Sequence, residues 1–280
     1  MTSPRLAPLT GPSAGELLKQ WRGRRGRSQL DLALDAGISQ KHLSFVETGR
    51  STPSRQVLVG LADALDVPLR ERNTLIVAAG YAPLYRDEPL DDALMQQVGR
   101  AVKRLLRQHE PFPALVLDRY WNVLETNAAA PAFFGRLVDI AAWPKPRNLL
   151  HLVFSPEGLQ PVVVDFPATA ISLLARVHRD APGGVIDERS RQLLAALKAY
   201  PGVPQEMGVA RPADNAPMIP LRFRAGDDVV SLFSMVTTVG TPQTVTSQEL
   251  RIETLFPTDE ADEHFYLDFM AQAPHVPPTG

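Results

Sequence analysis

The sequence predicts an α+β protein, in which an all-α N-terminal domain of five helices is followed by a domain with an antiparallel sheet and helices. Up to residue 80, apolar residues recur three or four positions apart between turn signals, which is the spacing of short amphipathic helices. From residue 114 onward, short runs rich in valine, leucine and phenylalanine flank tight turns, which indicates strands. The chain has 280 residues, 44% of them hydrophobic and 21% charged, so it can form two domains with cores of their own.

Turn and cap residues place the five predicted helices between residues 13 and 80. Ser28 and Ser39 are suited to cap the second and third helices, and Gly37 between them supplies the left-handed residue of a sharp reversal. The fourth and fifth helices are expected over residues 54–65 and 68–79. The apolar positions expected to face inward in the first three helices are Leu17, Leu18, Trp21, Leu30, Ala33, Leu34, Leu43 and Val46.

A stretch rich in turn residues and acids, with no period, follows the fifth helix and is interpreted as a linker. Beyond it, Asp91 or Asp92 is suited to cap a long amphipathic helix. The predicted division of the chain is a flexible N-terminus at 1–12, the first domain at 13–80, the linker at 81–91, the second domain at 92–272 and a flexible tail at 273–280.

Within the second domain, the pattern predicts two strands, a helical region and three further strands. The first two strands surround a tight turn in "ALVLDRYWNVLET", and Asn127 is suited to cap the helix that follows. The last strand is expected in "TSQELRIETLF", where Leu250 and Ile252 alternate with Arg251 and Glu253. Such alternation is typical of a strand with one buried face and one wet face, so helices are expected on one side of the sheet.

Charge is distributed unevenly along the chain. The formal net charge is −2, yet residues 13–55 hold eight Lys and Arg against four Asp and Glu, which is +4 and leaves −6 for the remainder. A basic segment in an otherwise acidic chain favours a local surface for a polyanion. The absence of cysteine excludes disulfides and thiolate sites. No apolar run of about 18 residues and no signal-like N-terminus occurs, which favours a cytoplasmic protein without a membrane partner.

Catalytic and metal-binding motifs are missing from the sequence. The six histidines show no metal-ligand spacing, and the G-x-S-x-G, Walker and dinucleotide-binding patterns are absent. The acids of "PTDEADEH", residues 257–264, are interpreted as an exposed acidic turn in preference to a cation site. We therefore expect no enzymatic activity, no metal and no resident cofactor.

The third predicted helix, within "GISQKHLSFVETGRSTPS", has a thin apolar stripe and a wide polar face. Amide, hydroxyl and cationic side chains match the donors and acceptors that base edges present in the major groove of DNA. In that geometry Gln40 and Lys41 reach bases, while Gln29 and Arg50 lie near phosphates. The residues expected at such an interface are Ser28, Gln29, Ser39, Gln40, Lys41, His42, Ser44, Phe45, Thr48, Arg50 and Ser51.

The stretch "WRGRRGRSQLDLALDAGISQKHLSFVETGRSTPS" resembles, without gaps, the helix-turn-helix regulators of the phage-repressor and xenobiotic-response-element class. The resemblance implies binding to a double-stranded DNA operator and an internal ion pair between Arg22 and Glu47. One module of this class buries too little surface for high specificity, so a homodimer on a pseudo-palindromic operator is expected. Phe45 stands where the class often has a polar residue, which suggests contact with a thymine methyl group or a dimer surface. The matching positions are Ser28, Gln29, Leu32, Ala33, Gly37, Ser39, Leu43, Glu47, Gly49, Arg50 and Pro53.

The chain from about Leu94 resembles the ligand-binding domain of MmyB-like transcription regulators, in "PALVLDRYWNVLETNAAAPAFFG", "RNLLHLVF" and the final strands. The resemblance implies a PAS-like fold and a pocket for a small apolar ligand, with fatty acids the class usually proposed. Large apolar side chains of this kind are more often plain core than pocket lining. Arg147 could pair with a ligand carboxylate, although most arginines lie at the surface. The residues expected at the ligand site are Leu117, Tyr120, Trp121, Val123, Asn127, Phe133, Phe134, Arg147, Leu149, Leu150 and Phe154.

Two other functions stay open at this point. The second domain could be enzymatic or hold a cofactor such as flavin or haem, with the first domain directing it to a promoter. It could also be a protein-interaction module, such as an antitoxin or an anchor for a partner regulator. An absorbance scan of the purified protein distinguishes the cofactor alternative, and co-purification of a second polypeptide distinguishes the interaction alternative.

Overall fold

The computed structural model describes residues 11–90, 92–184, 186–205 and 220–272. Of the ends expected to be flexible, residues 1–10 and 273–280 lie outside these ranges, as does Asp91, one of the two candidate helix caps. The chain divides into two compact units. Unit 1 holds Met1–Pro89 with Thr241–Gln248, and unit 2 holds Leu90–Gly240 with Glu249–Gly280.

The described residues at the start of unit 1 form the five predicted helices, so the all-α prediction for this part is confirmed. Four of the helices begin at a serine whose hydroxyl accepts a hydrogen bond from the N–H three residues later, at 3.1–3.3 Å. Gly37, with a φ of +67°, makes the turn between the second and third helices. The helices are α1 (Ala14–Arg24), α2 (Gln29–Asp35), α3 (Gln40–Glu47), α4 (Arg55–Ala64) and α5 (Leu69–Ala78).

The buried face of α2 differs from the predicted one. Leu32 is buried, but Leu30 and Leu34 are 51% and 69% exposed, so the prediction that these two face inward is wrong. Gln29 lies on the same helix face as Leu32, and its side chain donates a hydrogen bond to Glu47 of α3. That bond turns positions 29 and 32 toward the core and leaves positions 30 and 34 in solvent.

The described residues of unit 2 form a five-stranded antiparallel sheet accompanied by helices, which confirms the α+β class. Its strands are β1 (Ala114–Leu117), β2 (Val123–Thr126), β3 (Leu221–Ala225), β4 (Asp228–Thr237) and β5 (Arg251–Pro257). Their order is β2-β1-β5-β4-β3, and every neighbouring pair is antiparallel. The remaining described helices of the chain are α6 (Gln96–Gln108), α7 (Ala129–Leu137), α8 (Leu149–Phe154), α9 (Phe166–Arg179), α10 (Glu188–Lys198), α11 (Val245–Glu249) and α12 (Glu260–Ala271).

Both faces of the sheet are covered by helices, so the expectation of helices on one side only is wrong. Successive side chains of a strand point to opposite faces. On β1, Ala114 and Val116 pack in a cluster that includes Val102 of α6. Leu115 and Leu117 belong to the main core, which includes side chains of α7, α8 and α9. The sheet is therefore the middle layer of unit 2.

The last strand is shorter and more buried than predicted. Residues 245–249 form α11, because Thr244 and Ser247 cap each other, each backbone N–H being bonded to the other's hydroxyl at 3.2 and 3.1 Å. β5 lies between β1 and β4, and Glu253 on it is only 2% exposed. The prediction of a solvent-exposed face on this strand is therefore wrong, and Glu253 instead pairs with Arg176 of α9.

Asn127 ties the first hairpin to α7. Its side-chain oxygen accepts hydrogen bonds from the backbone N–H groups of Ala114 and Ala130, at 3.0 and 3.1 Å. Its amide nitrogen donates to the carbonyl of Phe112 at 2.7 Å. The N-cap of α7 is Ala128, one residue later than predicted, and Asn127 instead accepts from the first turn of the helix. The other two bonds fix the chain at the start of β1.

Candidate DNA interface and ligand pocket

α3 presents a polar surface above a narrow buried stripe. Leu43 and Val46 are 0% and 1% exposed, which confirms the predicted stripe. Gln40 and Lys41, in the first turn, are exposed. Ser39 caps the helix by accepting a backbone hydrogen bond at 3.1 Å. The cap fixes the backbone of this turn, while its side chains stay available for a partner.

The other residues expected at the DNA interface lie on and around α3. Lys41 Nζ lies 5.7 Å from the centre of the Phe45 ring, which is a cation–π distance. The hydroxyl of Thr48 donates to the carbonyl of Ser44 at 2.7 Å, which ties it to the end of the helix. The exposed members of the set are Ser28, Ser39, Gln40, Lys41, Thr48 and Arg50, and the half-buried members are Gln29, His42, Ser44, Phe45 and Ser51.

Arg22 and Glu47 form a bidentate ion pair between α1 and α3. Arg22 Nε and Nη2 lie 2.7 and 2.9 Å from the two carboxylate oxygens, and Gln29 of α2 donates to the same carboxylate at 2.8 Å. The Glu47 side chain is 1% exposed. Burial opposes its ionisation, but the hydrogen bonds from Arg22 and Gln29 outweigh burial, so the pKa of Glu47 is lowered. The pair therefore braces the helices that carry the polar surface.

Unit 2 contains a small apolar cavity, the inner cavity, that adjoins an open groove, the outer groove. Their volumes are about 30 Å³ and about 300 Å³. They share Leu173, Arg176 and Leu221, so the groove and the cavity adjoin at these three side chains. The inner cavity is also lined by Leu115, Trp121, Phe134, Leu149, Leu150, Val153, Phe223, Glu253 and Leu255. The outer groove is also lined by Thr169, Ser172, Arg179, Phe233, Ser234 and Val236.

Arg176 lies between an acid and an aromatic ring where the groove meets the cavity. Its Nη2 and Nη1 lie 2.7 and 3.3 Å from the carboxylate oxygens of Glu253. Nη1 also lies 3.2 Å from the hydroxyl of Ser234, and the guanidinium carbon is 4.9 Å from the centre of the Trp121 ring. Burial raises the pKa of Glu253 despite the attraction of Arg176. A buried ion pair thus forms the polar end of an otherwise apolar cavity.

The structure brings only part of the expected ligand site together. Tyr120 donates its hydroxyl proton to Asp187 at 2.8 Å, and Asn127 makes the hairpin bonds described above. Arg147 donates to the carbonyl of Ile140 at 3.0 Å and is not among the described lining residues of the cavity or groove. Trp121, Phe134, Leu149 and Leu150 line the inner cavity, whereas Leu117, Val123, Phe133 and Phe154 belong to the main core or pack against it.

Arg176 and Glu253 could not be recognised as pocket residues from local pattern. They lie 77 positions apart, and the period of each segment indicates only a helix or a strand. One signal was present, because an arginine in a core helix and a glutamate in a core strand each need a partner when buried. The other lining residues that sequence reasoning missed in the inner cavity are Leu115, Val153, Leu173, Leu221, Phe223 and Leu255.

Within the part of the chain that the structure describes, no group of three or more His, Cys, Asp or Glu could hold a metal ion. None of the helices described is long and apolar enough to cross a membrane. The acids of residues 257–264 begin α12, where Asp259 accepts a hydrogen bond from the N–H of Asp262 at 2.8 Å. Negative charge in a first turn favours the helix, which gives these acids a structural role.

Comparison with known proteins gives two family matches. A model for helix-turn-helix domains matches residues 18–72, and a model for the ligand-binding domain of MmyB-like transcription regulators matches residues 98–267. None of the curated proteins matches the chain. A solved structure of an RNA-binding light-oxygen-voltage receptor aligns with 92% of this chain at 10% identity. This chain covers 63% of that one, and the TM-score of 0.24 is too low to indicate a common fold.

The two matched families define the class of the protein, which is that of ligand-sensing, DNA-binding transcription regulators. The chain belongs to the family of MmyB-like transcription regulators, with an N-terminal helix-turn-helix of the xenobiotic-response-element type. The expected family and the expected pairing of a helix-turn-helix domain with a PAS-like α+β domain are thus confirmed. The domain boundaries and the individual DNA and ligand contacts stay predictions.

Replacing Glu47 with glutamine should destabilise unit 1 by about 2–4 kcal/mol at neutral pH, because Arg22 then loses its charged partner. Since the pKa of Glu47 is lowered, the pair stabilises the fold at any pH above 4.5, the ordinary pKa of a glutamate. This stabilisation is lost as the pH falls through the lowered pKa of Glu47. The difference in unfolding free energy between wild type and variant should therefore shrink in acid. Urea unfolding followed by circular dichroism, at neutral pH and in acid, measures it.

Asp35→Asn is the matched control, because Asp35 pairs with Arg27 at the surface, where an ion pair contributes about 0–1 kcal/mol. A Glu47→Gln variant no less stable than Asp35→Asn at neutral pH would show that the buried pair does not brace the helices. A difference in unfolding free energy between wild type and Glu47→Gln that does not shrink in acid would also show that the pair does not brace the helices.

Proposed function

We propose that this regulator is cytoplasmic and homodimeric, that it binds a pseudo-palindromic double-stranded DNA operator through α3, and that unit 2 binds a small apolar ligand such as a fatty acid. One observation supports the proposal most: the same chain has an exposed polar first turn on α3 and a cavity lined mainly by aliphatic and aromatic side chains. DNA fits the excess positive charge of residues 13–55. In this proposal the ligand is the only small molecule, and no metal or cofactor takes part.

α3 is proposed to lie in the major groove with its first turn toward the bases. Gln40 and Lys41 are exposed there, and amide and ammonium groups can donate to the acceptors on base edges. Arg50, exposed just beyond the helix, is proposed to bind a phosphate. Ser28, Gln29, Ser39, His42, Ser44, Phe45, Thr48 and Ser51 border this surface.

The ligand is proposed to enter through the outer groove and to place its apolar part in the inner cavity. A volume of about 30 Å³ holds roughly one or two water molecules, so an acyl chain must displace side chains such as Phe134 and Leu150. The filled and empty states then differ in structure. This difference matters because a ligand shifts operator affinity only if it binds the two states unequally.

The state of the pocket is proposed to reach unit 1 through the connection between β4 and β5. Both strands line the pocket, while the residues that join them, Thr241–Gln248, belong to unit 1. There the N–H of Val245 donates to the carbonyl of Arg86 at 2.8 Å, and Gln248 accepts from the N–H of Leu69 at 2.7 Å. Leu69 is the first residue of α5, so a shift of either strand moves a segment that is bonded to a helix of unit 1.

Gln40→Ala and Arg50→Ala should weaken DNA binding in different ways. Gln40→Ala should cost about 1–3 kcal/mol at one operator position, because a base contact is lost. Arg50→Ala should weaken binding to all sequences and flatten its dependence on salt, because a phosphate contact is lost. Fluorescence anisotropy with an operator selected from random DNA, at several salt concentrations, measures both effects. Equal losses on specific and random DNA for both variants would contradict the assignment.

The full-length protein should bind its operator as a dimer. One DNA-binding module buries only about 600–1,000 Å², so two modules on half-sites about 34 Å apart are needed for high specificity. Analytical ultracentrifugation with and without the operator gives the stoichiometry. Inserting about five base pairs between the half-sites rotates one of them by half a turn and should abolish tight binding. A monomer both free and on DNA would rule the dimer out.

Saturated fatty acids of increasing length should bind with rising affinity and should change operator affinity several-fold. Each buried methylene contributes about 0.8 kcal/mol, so affinity should climb until the cavity is full and then fall. The change in operator affinity should correspond to about 1–3 kcal/mol, which is typical of coupled sites. Isothermal titration calorimetry measures ligand binding, and anisotropy measures operator binding in the presence of each acid.

Leu221→Trp should block the proposed passage between groove and cavity, so it should remove both the binding of fatty acids and their effect on operator affinity. Leu124→Trp, at an exposed strand position, should leave both unchanged. Gln248→Leu should keep the ligand affinity but reduce the change in operator affinity, because it removes the acceptor for the Leu69 N–H. The ligand-sensing proposal fails if affinity does not depend on chain length, or if operator affinity is the same with the pocket filled and empty.

A further inference from the structure

The ion-pair cluster around Arg176, where the outer groove and the inner cavity adjoin, holds more cations than carboxylates. Asp180 lies 3.2 Å from Arg176, 3.1 Å from Arg251 and 3.9 Å from Arg179. Glu253 lies 2.7 Å from Arg176. Three cations share two carboxylates, which leaves a net charge of +1 for this cluster. An excess cation beside an apolar cavity suits a ligand that has an anionic head and an apolar tail.

The guanidinium of Arg176 is oriented to bind a carboxylate. Its side chain is 14% exposed, and its two terminal nitrogens each donate a hydrogen bond to one carboxylate oxygen of Glu253. The guanidinium carbon lies 4.9 Å from the centre of the Trp121 ring, a cation–π distance that favours this position of the side chain. On the groove side, Ser234 supplies a hydroxyl 3.2 Å from Nη1. A ligand carboxylate can accept hydrogen bonds from the same two nitrogens that Glu253 binds.

We propose that Arg176 selects ligands that carry a carboxylate, and that Glu253 occupies its guanidinium while the pocket is empty. This inference rests on the proposed function, because it names the part of the ligand that the same pocket recognises. The ligand tail lies in the inner cavity and the head lies at the junction with the groove. Burial raises the pKa of Glu253, so this carboxyl takes up a proton more readily than an exposed one when a ligand carboxylate displaces it.

Decanoate, 1-decanol and decylamine share one tail and differ in the head group, so their affinities isolate head-group recognition. In calorimetric titrations of the full-length protein, decanoate should bind at least about tenfold more tightly than decanol, and decylamine should bind most weakly. Glu253→Gln removes the competing carboxylate. This variant should bind decanoate about three- to tenfold more tightly than the wild type, with no change for decanol.

Arg176→Gln alone leaves Glu253 buried without this charged partner, which destabilises the fold. The double variant Arg176→Gln, Glu253→Gln keeps a neutral hydrogen-bonding pair at the same place. It should bind decanol as the wild type does and should lose the preference for decanoate. Arg191→Gln is the matched control, because the Arg191 side chain is 60% exposed, pairs with Glu188 and is not among the described lining residues of the groove or the cavity, so the preference should change by less than about twofold.

Two results would overturn the assignment of Arg176 and still leave a pocket for apolar ligands. These are equal binding of decanoate and decanol by the wild type, and an unchanged preference for decanoate in the double variant. Failure of all three compounds to bind would overturn the proposed ligand class, and this inference with it.

Discussion

A carboxylate that leaves water must keep a positive partner, and Glu47 and Glu253 impose this requirement on elements far apart in the sequence. Removing the partner of a buried charge costs several kcal/mol. Glu47 binds Arg22 of α1 and Gln29 of α2, so one side chain fixes the positions of three helices. Glu253, on the central strand β5, binds Arg176 and so fixes α9 on the sheet. The polar surface of α3 and the ligand pocket are each built beside one of these pairs.

Features governed by near neighbours in the sequence could be predicted. The caps at Ser28 and Ser39 and the stripe of Leu43 and Val46 each depend on residues within a few positions, and all are present in the structure. The buried face of α2 could not be predicted from its period, because that face is set by the hydrogen bond from Gln29 to a residue of another helix. α11 is an exception among the local features, because a Thr-x-x-Ser cap that is visible in the sequence replaces part of a predicted strand.

The candidate pocket also combines residues that the sequence pattern could indicate with residues that it could not. Trp121 and Phe134 stand in the segments that the sequence singled out, and both line the inner cavity. Arg176 comes from a helix whose sequence indicates only an amphipathic helix, and its place in the pocket follows from the sheet order, which puts β5 beneath α9. Sequence pattern indicates which residues are apolar, but it does not indicate which of them surround a cavity. That depends on how closely side chains from separate elements pack.

The two units act as one regulator only if ligand binding and operator binding are thermodynamically linked. Linkage is reciprocal, so a ligand that changes operator affinity must bind with an affinity that changes by the same factor when the operator is present. The most direct measurement is calorimetric titration of the full-length protein with decanoate, first free and then saturated with operator DNA. We predict that the two decanoate affinities differ about 5- to 150-fold, and by the factor by which decanoate changes operator affinity. Identical decanoate affinities for the free and the DNA-bound protein would contradict ligand-sensing control of DNA binding.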